Sequence, residues 1–458
     1  MGHTFDVRIW AVREKPDRRK KAVELRWKVG RQPHSATFRT TTLADNRRAE
    51  LMVAVQRGEP FDEATGLPLS ELRHQRDVSW YQHARSYIEM KWQDAPAKTR
   101  ATLAEAMATV TPALVEDTRG MADVRMVRRA LYSWAFNKHR WDADPPEDVR
   151  QVLDWFEAKS LPTSALGDPV ITRRALDVLK RKLDGSTASP HTIRRKRAIF
   201  HNAVVFAVEA GLLADNPIPR ISWKLPEPVE DELDPAGVPN PDQARALLRA
   251  VGEQGKRGRH LVAFFGCLYF AAARPAEVVA LKLPQCTLPR RGWGQLRLRE
   301  TRPRAGSAWT DTGETHDRRG LKKRSGKTVR AVPIPPEFVA MLRWHIDAYG
   351  TAPDGRLFRT LRGGLLQESG YGQVWAAARR SALRPEEAAS GLAARPYDLR
   401  HAGLSAWLAA GVDPQTVTKR AGHSVAVLLR VYAKFVNDSD DAANARIAAR
   451  LGEPRRGL

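Results

Sequence analysis

The 458-residue sequence is poor in cysteine, containing only Cys267 and Cys286. Two cysteines exclude a disulfide framework and a zinc site built from cysteines. No apolar run approaches the roughly 20 residues that a membrane-spanning helix needs. The polar N-terminus lacks the apolar core of a secretory signal peptide. The most apolar stretch, residues 261–273, has the length of a buried helix. These absences predict a protein of a reducing cytoplasm that makes no use of a membrane.

Acidic residues are scarce relative to basic ones. The chain has 52 Asp and Glu against 76 Lys and Arg, a formal charge of +24 and a pI near 10.4. Such an excess indicates a polyanionic partner, and arginine suits forked binding of phosphate oxygens. Ribosomal and membrane-surface proteins share this composition, so charge alone narrows the partner without identifying it. The length predicts about two to four domains.

Residues 5–43 alternate between apolar and polar residues. This period of two predicts three short antiparallel strands, and the pattern from about residue 43 to 57 predicts a helix after them. Together they form a predicted β-sheet DNA-binding domain over residues 1–62, although a solubilising hairpin on a larger domain fits the same pattern. The basic loop between the first two strands supplies the DNA-binding candidates Arg18, Arg19, Lys20 and Lys21.

Helical patterns dominate residues 76–222. The clearest predicted helix begins at Ser189, a good N-cap, with Pro190 in the first helical position. Its apolar stripe favours packing in a helical domain, and its cations favour contact with a DNA backbone. A solvated charged face is the alternative. The candidates on this helix are Arg194, Arg195, Lys196 and Arg197.

Residues 223–239 mark a change of composition. Four prolines and a local acidic cluster predict an extended linker between domains. Asn240 then caps a new helix, and Gln243 is placed to close a capping box. The domain predicted over residues 240–452 is mostly helical. Within it, the alternating segments 294–299 and 329–334 predict a pair of strands.

Several segments of this last domain carry groups suited to phosphate. Arg274 lies beside an apolar helix with Glu277 close enough to orient it, which also fits a structural salt bridge. Arg400 precedes His423, and Tyr432 follows that histidine by nine residues. Each of these residues has an ordinary structural interpretation when taken alone. The loop before residues 329–334 contains three lysines that, taken alone, are interpreted as exposed surface cations. They are Lys322, Lys323 and Lys327.

In combination and order, these motifs resemble those of the tyrosine recombinases of the phage-integrase type. The family has an Arg-x-x-Glu/Asp box, a hairpin lysine, a His-x-x-Arg motif and a Gly-His dipeptide followed nine residues later by tyrosine. These motifs fall here on Arg274 with Glu277, on Lys322, on Tyr397 to Arg400, on Gly422-His423 and on Tyr432. Lys322 is the preferred hairpin lysine, with Lys323 and Lys327 left open. Tyr397 stands where the family more often has histidine, and a phenol carries protons poorly at neutral pH.

The resemblance implies a multidomain fold, mainly α with small β-sheets. Residues 1–62 correspond to an arm-binding-like domain, residues 76–222 to a helical, SAM-like core-binding domain and residues 240–452 to the mixed α+β catalytic domain. It also implies a DNA integrase that acts without cofactor or metal, as a homotetramer on double-stranded attachment sites, with an excisionase or other directionality factor as a further partner. A type IB topoisomerase and a DNA-binding protein without activity are the alternatives.

Overall fold

The structure is a computed structural model that describes residues 2–14, 22–182, 186–225, 234–321 and 329–432, together with residues 444, 447–449 and 451. The candidates Arg18, Arg19, Lys20, Lys21, Lys322, Lys323 and Lys327 lie outside the described residues.

The chain divides into two compact units. One comprises Met1–Ala95 and Arg100–Glu227, and the other comprises Pro96–Thr99 and Pro228–Leu458. The division after residue 227 falls within the stretch predicted to be a linker. The first unit contains both predicted N-terminal domains, and their separation stays a prediction.

Among the described residues, an antiparallel sheet of four strands opens the first unit, in which β2 (Val7–Ile9), β3 (Arg13–Glu14) and β5 (Gln32–Phe38) all pair with β4 (Val23–Val29). Alternate residues of β4 are buried against a helix, α1 (Thr41–Gln56), which explains the period of two in the sequence. The predicted strands and helix are therefore confirmed. The strands of this region are β1 His3–Thr4, β2 Val7–Ile9, β3 Arg13–Glu14, β4 Val23–Val29, β5 Gln32–Phe38 and β6 Phe61–Asp62.

Helices make up the rest of the first unit, around a core rich in buried aromatic rings such as Trp80, Phe136, Phe156 and Phe200. The side chain of Ser189 caps the last helix by accepting a hydrogen bond from the backbone of Thr192, as the sequence predicts. The helices between residues 69 and 209 are α2 Leu69–Arg76, α3 Trp80–Trp92, α4 Ala97–Val110, α5 Val124–Ala130, α6 Glu147–Lys159, α7 Pro169–Asp177 and α8 Pro190–Glu209.

The second unit is also mainly helical. The capping box predicted for Asn240 and Gln243 is present at the start of its first helix. The helices are α9 Pro241–Glu253, α10 Gly255–Phe270, α11 Pro275–Ala280, α12 Pro336–Tyr349, α13 Glu368–Ala382, α14 Pro385–Ala389, α15 Asp398–Ala409, α16 Pro414–Ala421 and α17 Val425–Tyr432. A mainly helical fold with small sheets is thus confirmed.

Small sheets accompany these helices in the described part of the unit. The predicted strand pair is present as β8 (Gly294–Leu298) and β11 (Arg330–Ile334), which pair antiparallel from Leu298 opposite Arg330 to Gly294 opposite Ile334. β7 (Cys286–Thr287) extends this sheet along the other side of β8, and β9 (Glu300–Thr301) pairs with β10 (Arg319–Gly320). The strands are β7 Cys286–Thr287, β8 Gly294–Leu298, β9 Glu300–Thr301, β10 Arg319–Gly320 and β11 Arg330–Ile334.

The apolar helix α10 crosses α15 at main-chain contact. A Cβ atom on Gly403 of α15 would lie 2.0 Å from the carbonyl oxygen of Tyr269, so only glycine allows this crossing. After α10 the chain turns through Ala271 to Ala273, all fully buried, with Ala272 at a φ of +43°. A left-handed conformation is costly for alanine and persists only where the surroundings enforce it. This turn delivers Arg274 to the start of α11.

Candidate active site

Arg274 is held by the helix that it begins. Its extended backbone and Pro275 in the first helical position start α11, and this places Glu277 three residues into the helix. The Glu277 carboxylate accepts a hydrogen bond from the Arg274 backbone N–H at 2.7 Å and another from Nη1 at 2.9 Å. Nη2 donates to the carbonyl oxygen of Gly422 at 3.0 Å. The arginine is therefore fixed at both ends of its guanidinium.

Arg330, the first residue of β11, is a member of the site that sequence reasoning missed. Its guanidinium is buried and donates to Glu277 and to the carbonyl oxygen of Arg420. Burial lowers the pKa of Arg330 to about 10 although Glu277 opposes the shift, so the group stays charged at neutral pH. A signal was available, because Arg330 has the same strand parity as the buried Val332 and Ile334.

Among the described residues, Glu277 is the carboxylate that pairs with both Arg274 and Arg330. Burial would raise the pKa of Glu277, but the charges of Arg330, Arg274 and Arg400 outweigh burial and hold it below its usual range. The carboxylate is thus ionised at neutral pH and balances one of three guanidinium charges. The excess positive charge makes this region suitable for an anion.

Arg400 lies on α15 and is completely buried. Its guanidinium donates to the carbonyl oxygen of Ala272, to that of Ala421 at 2.8 Å and to Nε2 of His423 at 2.7 Å. The Arg400 side chain therefore joins the turn that contains Ala272 to the end of α16. Nε of Arg400 is buried and has no hydrogen-bond partner among the described residues.

His423 follows a left-handed glycine. Gly422, at a φ of +70°, ends α16 and turns the chain so that the imidazole faces Arg400. Burial, with Arg400, Arg274 and Arg330, lowers the pKa of His423 to about 3, so the ring is neutral. Because Arg400 can only donate, Nε2 accepts and Nδ1 carries the hydrogen. This Nδ1 is buried and has no hydrogen-bond partner within the part of the chain that the structure describes. Its N–H can therefore donate a hydrogen bond to a bound ligand.

Tyr432 ends α17 and is fully buried in a small apolar cluster with Ala272, Leu404 and Leu428. Its hydroxyl oxygen lies 2.5 Å from Nδ1 of His401. Burial raises the pKa of Tyr432 above its usual range although Arg400 and Arg274 oppose the shift. Sequence reasoning assigned no role to His401, and its position directly after Arg400 was the only signal.

Tyr397 precedes α15 and is half-buried. Its ring centroid lies 5.1 Å from that of His401 and 6.0 Å from Cζ of Arg400. The phenol oxygen makes no hydrogen bond with any residue that the structure describes. Tyr397 thus packs against two site residues while its hydroxyl stays available to a ligand.

The predicted residues Arg274, Arg400, His423 and Tyr432 are brought together, with Tyr397 beside them. The candidates of α8 belong to the first unit, and Lys196 departs from the predicted basic face. The residue is 4% exposed, and Nζ lies 3.0 Å from the Thr109 hydroxyl and 3.4 Å from the Glu105 carboxylate. Helical periodicity explains this, because Lys196 falls on the same stripe as Ile193 and Phe200. Arg195 is exposed, and Arg194 and Arg197 are half-buried.

Within the described residues, no group of three or more His, Cys, Asp or Glu side chains is arranged to hold a metal ion. None of the described helices has both the length and the apolar character needed to cross a membrane. The described side chains of the site present guanidinium groups, an imidazole N–H and a phenol. Such groups bind a phosphate diester and stabilise charge on its oxygens.

Comparisons with known proteins give the following similarities. No family model matches the sequence. The chain is 24% identical over 295 residues to the tyrosine recombinase XerD of Pseudomonas aeruginosa, an alignment that covers 62% of this chain and 83% of that protein. The Tn1549 transposon integrase in complex with circular-intermediate DNA has 17% identity and a TM-score of 0.47, covering 67% of this chain and 95% of the integrase. A lambda integrase dimer bound to a COC′ core site has 11% identity and a TM-score of 0.47, covering 98% of this chain and 97% of that one.

Proposed function

We propose that the chain, which is similar in sequence to the tyrosine recombinase XerD, is an enzyme of DNA strand breakage and rejoining that acts as a site-specific integrase. Tyr432 attacks a phosphodiester of double-stranded DNA, which forms a covalent 3′-phosphotyrosine and releases a 5′-hydroxyl. The covalent bond conserves the energy of the diester, so rejoining needs no cofactor. The biological role is integration or excision of a phage or another mobile element.

One observation carries this proposal. Arg274, Arg400 and His423 come from separate segments of the second unit, and hydrogen bonds tie all three to the turn around Gly422. In the proposed complex, the two guanidinium groups bind the non-bridging oxygens, and Nδ1 of His423 donates to one of them. The interactions strengthen as charge develops on the pentacovalent phosphorus, which lowers the barrier.

The leaving oxygen needs a proton, and a lysine is the proposed donor. Lys322 is the preferred residue, with Lys323 and Lys327 as the alternatives, and all three lie outside the described residues. Tyr397 takes the place of the usual histidine by donating its phenol hydrogen to a phosphate oxygen. Its free hydroxyl beside Arg400 supports this role.

The burial of Tyr432 has a consequence for the reaction cycle. Its side chain has no exposed surface, so a phosphate can reach the hydroxyl only after a shift of the residues that cover it. DNA binding is the proposed cause of that shift, because it supplies the anion that the excess positive charge favours. A resting enzyme with a covered nucleophile then avoids cleavage away from its target.

The proposed assembly is a homotetramer on two attachment sites, aided by a directionality factor and working in the bacterial cytoplasm at the nucleoid. The first unit contributes an arm-binding domain and a core-binding domain, and the second is the catalytic domain. Arg194, Arg195 and Arg197 on α8 contact the DNA backbone, and the basic segment with Arg18, Arg19, Lys20 and Lys21 does the same outside the described residues.

A nicked suicide substrate tests the function. Nicked duplexes that tile the DNA flanking the gene are incubated with the protein and with the Tyr432→Phe variant. The unsubstituted protein is expected to form a protein–DNA adduct that survives denaturation, and the variant is expected to form none while keeping its DNA affinity. An adduct with the variant would show that another nucleophile acts. DNA relaxation without any joining of two sites would indicate a topoisomerase instead.

A further inference from the structure

The hydroxyl of the proposed nucleophile makes a polar contact with a residue that the family motifs do not include. Nδ1 of His401 lies 2.5 Å from the hydroxyl oxygen of Tyr432, and the two rings are tilted with centroids 5.6 Å apart. His401 follows Arg400 on α15, one helical turn after Tyr397. The residue at the family's histidine position therefore packs against His401, and it is His401 that contacts Tyr432.

The direction of this hydrogen bond follows from the protonation of both partners. Burial, with Arg400 and Arg395, lowers the pKa of His401 to about 4, so the imidazole is neutral at pH 7. Burial raises the pKa of Tyr432, so the phenol is protonated. A neutral imidazole whose Nδ1 lies against a phenol accepts the phenol hydrogen and carries its own hydrogen on Nε2.

We propose that His401 is the catalytic residue that accepts the proton of Tyr432 during strand cleavage. As the Tyr432 oxygen forms its bond to phosphorus, the O–H bond breaks and the proton moves to Nδ1 of His401. The bond between phosphorus and the 5′-oxygen breaks, and that oxygen takes a proton from the lysine of the proposed mechanism. During rejoining, the imidazolium returns its proton to Tyr432 as the leaving group. This inference depends on the proposed function.

The surroundings of His401 suit a transient charge. Burial, together with the charges of Arg400 and Arg395, keeps the free imidazole neutral, and the negative charge of the DNA phosphate beside Arg400 offsets the contribution of those charges. A base with low affinity for protons in the free enzyme gains affinity as the substrate binds. The groups that face His401 are Tyr397 just before α15, Arg400 on α15, Tyr432 on α17, and Arg395 and His423 from the adjoining loops.

The test uses His401→Asn, because the asparagine amide oxygen can accept the Tyr432 hydrogen bond but cannot take up the proton. His260→Asn is the matched control, because His260 is a buried histidine of the same unit whose pKa burial also lowers to about 4. Rates of adduct formation are measured with the full chain on two substrates. One is the ordinary suicide DNA, and the other carries a 5′-bridging sulfur at the cleavage position mapped with the unsubstituted protein.

Loss of the proton acceptor should slow cleavage by about 100-fold or more in His401→Asn. The sulfur substrate should not rescue this variant, because a thiolate leaves without a proton and relieves only the acid step. The rate of the variant should rise about tenfold per pH unit between pH 6.5 and 8.5, since the phenol must then lose its proton to solvent. His260→Asn should cleave within about threefold of the unsubstituted rate.

Three results overturn the inference: a His401→Asn rate equal to that of His260→Asn, rescue by the sulfur substrate, or a rate independent of pH. If the unsubstituted protein forms an adduct, each of these three results contradicts the role of His401 but not the proposed function. Absence of an adduct from the unsubstituted protein on every tiled duplex overturns the proposed function itself, and the inference with it. The two failures are therefore distinguishable.

Discussion

Arg330 and Glu277 form a buried ion pair across 53 residues of chain. Arg330 starts a strand, whereas Glu277 lies in the first turn of α11, and the same carboxylate also accepts the hydrogen bonds of Arg274. The sheet and Arg274 are therefore joined through one acidic side chain. Its loss would affect both the stability of the second unit and the position of Arg274.

Arg330→Met tests this relationship. The substitution keeps the apolar stem but leaves Glu277 with less compensation, which should lower the free energy of unfolding by about 3–5 kcal/mol. Arg297→Met is the control, because Arg297 is exposed on the paired strand β8 and should change stability by less than about 0.5 kcal/mol. Denaturant unfolding followed by circular dichroism measures both. Equal stability of the two variants would show that the ion pair contributes nothing.

Acid should destabilise the protein through His401. Its pKa lies near 4 in the folded protein, below its ordinary value of 6.5, so the unfolded chain binds the proton first as pH falls. The stability that His401 contributes is thus fully present above pH 6.5 and is lost as pH falls towards 4, by up to about 3 kcal/mol. His401→Asn lacks this dependence. The unfolding free energy of the unsubstituted protein should therefore fall more than that of the variant between pH 7 and pH 4.5. An equal fall for the two proteins would contradict the assignment.

Gly422→Ala should impair both folding and cleavage. The left-handed φ of +70° costs about 1–2 kcal/mol for alanine. The added methyl group would also lie 3.3 Å from Cδ of Arg330 and 3.5 Å from Nη1 of Arg274. We expect adduct formation to fall by about tenfold or more, since small displacements of binding groups are costly. Gly355→Ala shares the positive φ but meets nothing within 4 Å, so it should lose stability alone. Equal cleavage by both variants would argue against the role of Gly422.

Substitutions of the neighbouring residues Arg195 and Lys196 of α8 should have different effects, one on DNA binding and the other on stability. Arg195 is exposed, so Arg195→Ala should keep stability within about 0.5 kcal/mol and reduce the salt slope of DNA binding by about one. Lys196 is buried against Thr109 and Glu105, so Lys196→Ala should cost about 1–3 kcal/mol and leave that slope unchanged. Fluorescence titrations at several salt concentrations, paired with thermal unfolding, distinguish them. A reduced slope for Lys196→Ala would place this lysine on the DNA.

Local signals were sufficient for much of the fold. Two-residue alternation predicted β8 and β11, and the side chains at Ser189 and Asn240 marked helix starts because a cap depends only on its own turn. Arg330 and His401 escaped notice because each acquires its role from a partner distant in sequence. The partner of His401 lies 31 residues away. The error at Lys196 differs, since the helical period already placed it among apolar residues.

The glycine at the crossing of α10 and α15 affects how far substitutions elsewhere can move the arginines of the site. Gly403 lets the main chains of the two helices touch, and Arg400 lies one turn before it while Arg274 follows the end of α10. Main-chain contact therefore helps to set the spacing of Arg274 and Arg400, because the approach of the two helices at this point does not depend on the size of a side chain. Substitutions among the apolar residues elsewhere on these helices should then disturb the two arginines less than a substitution of Gly403.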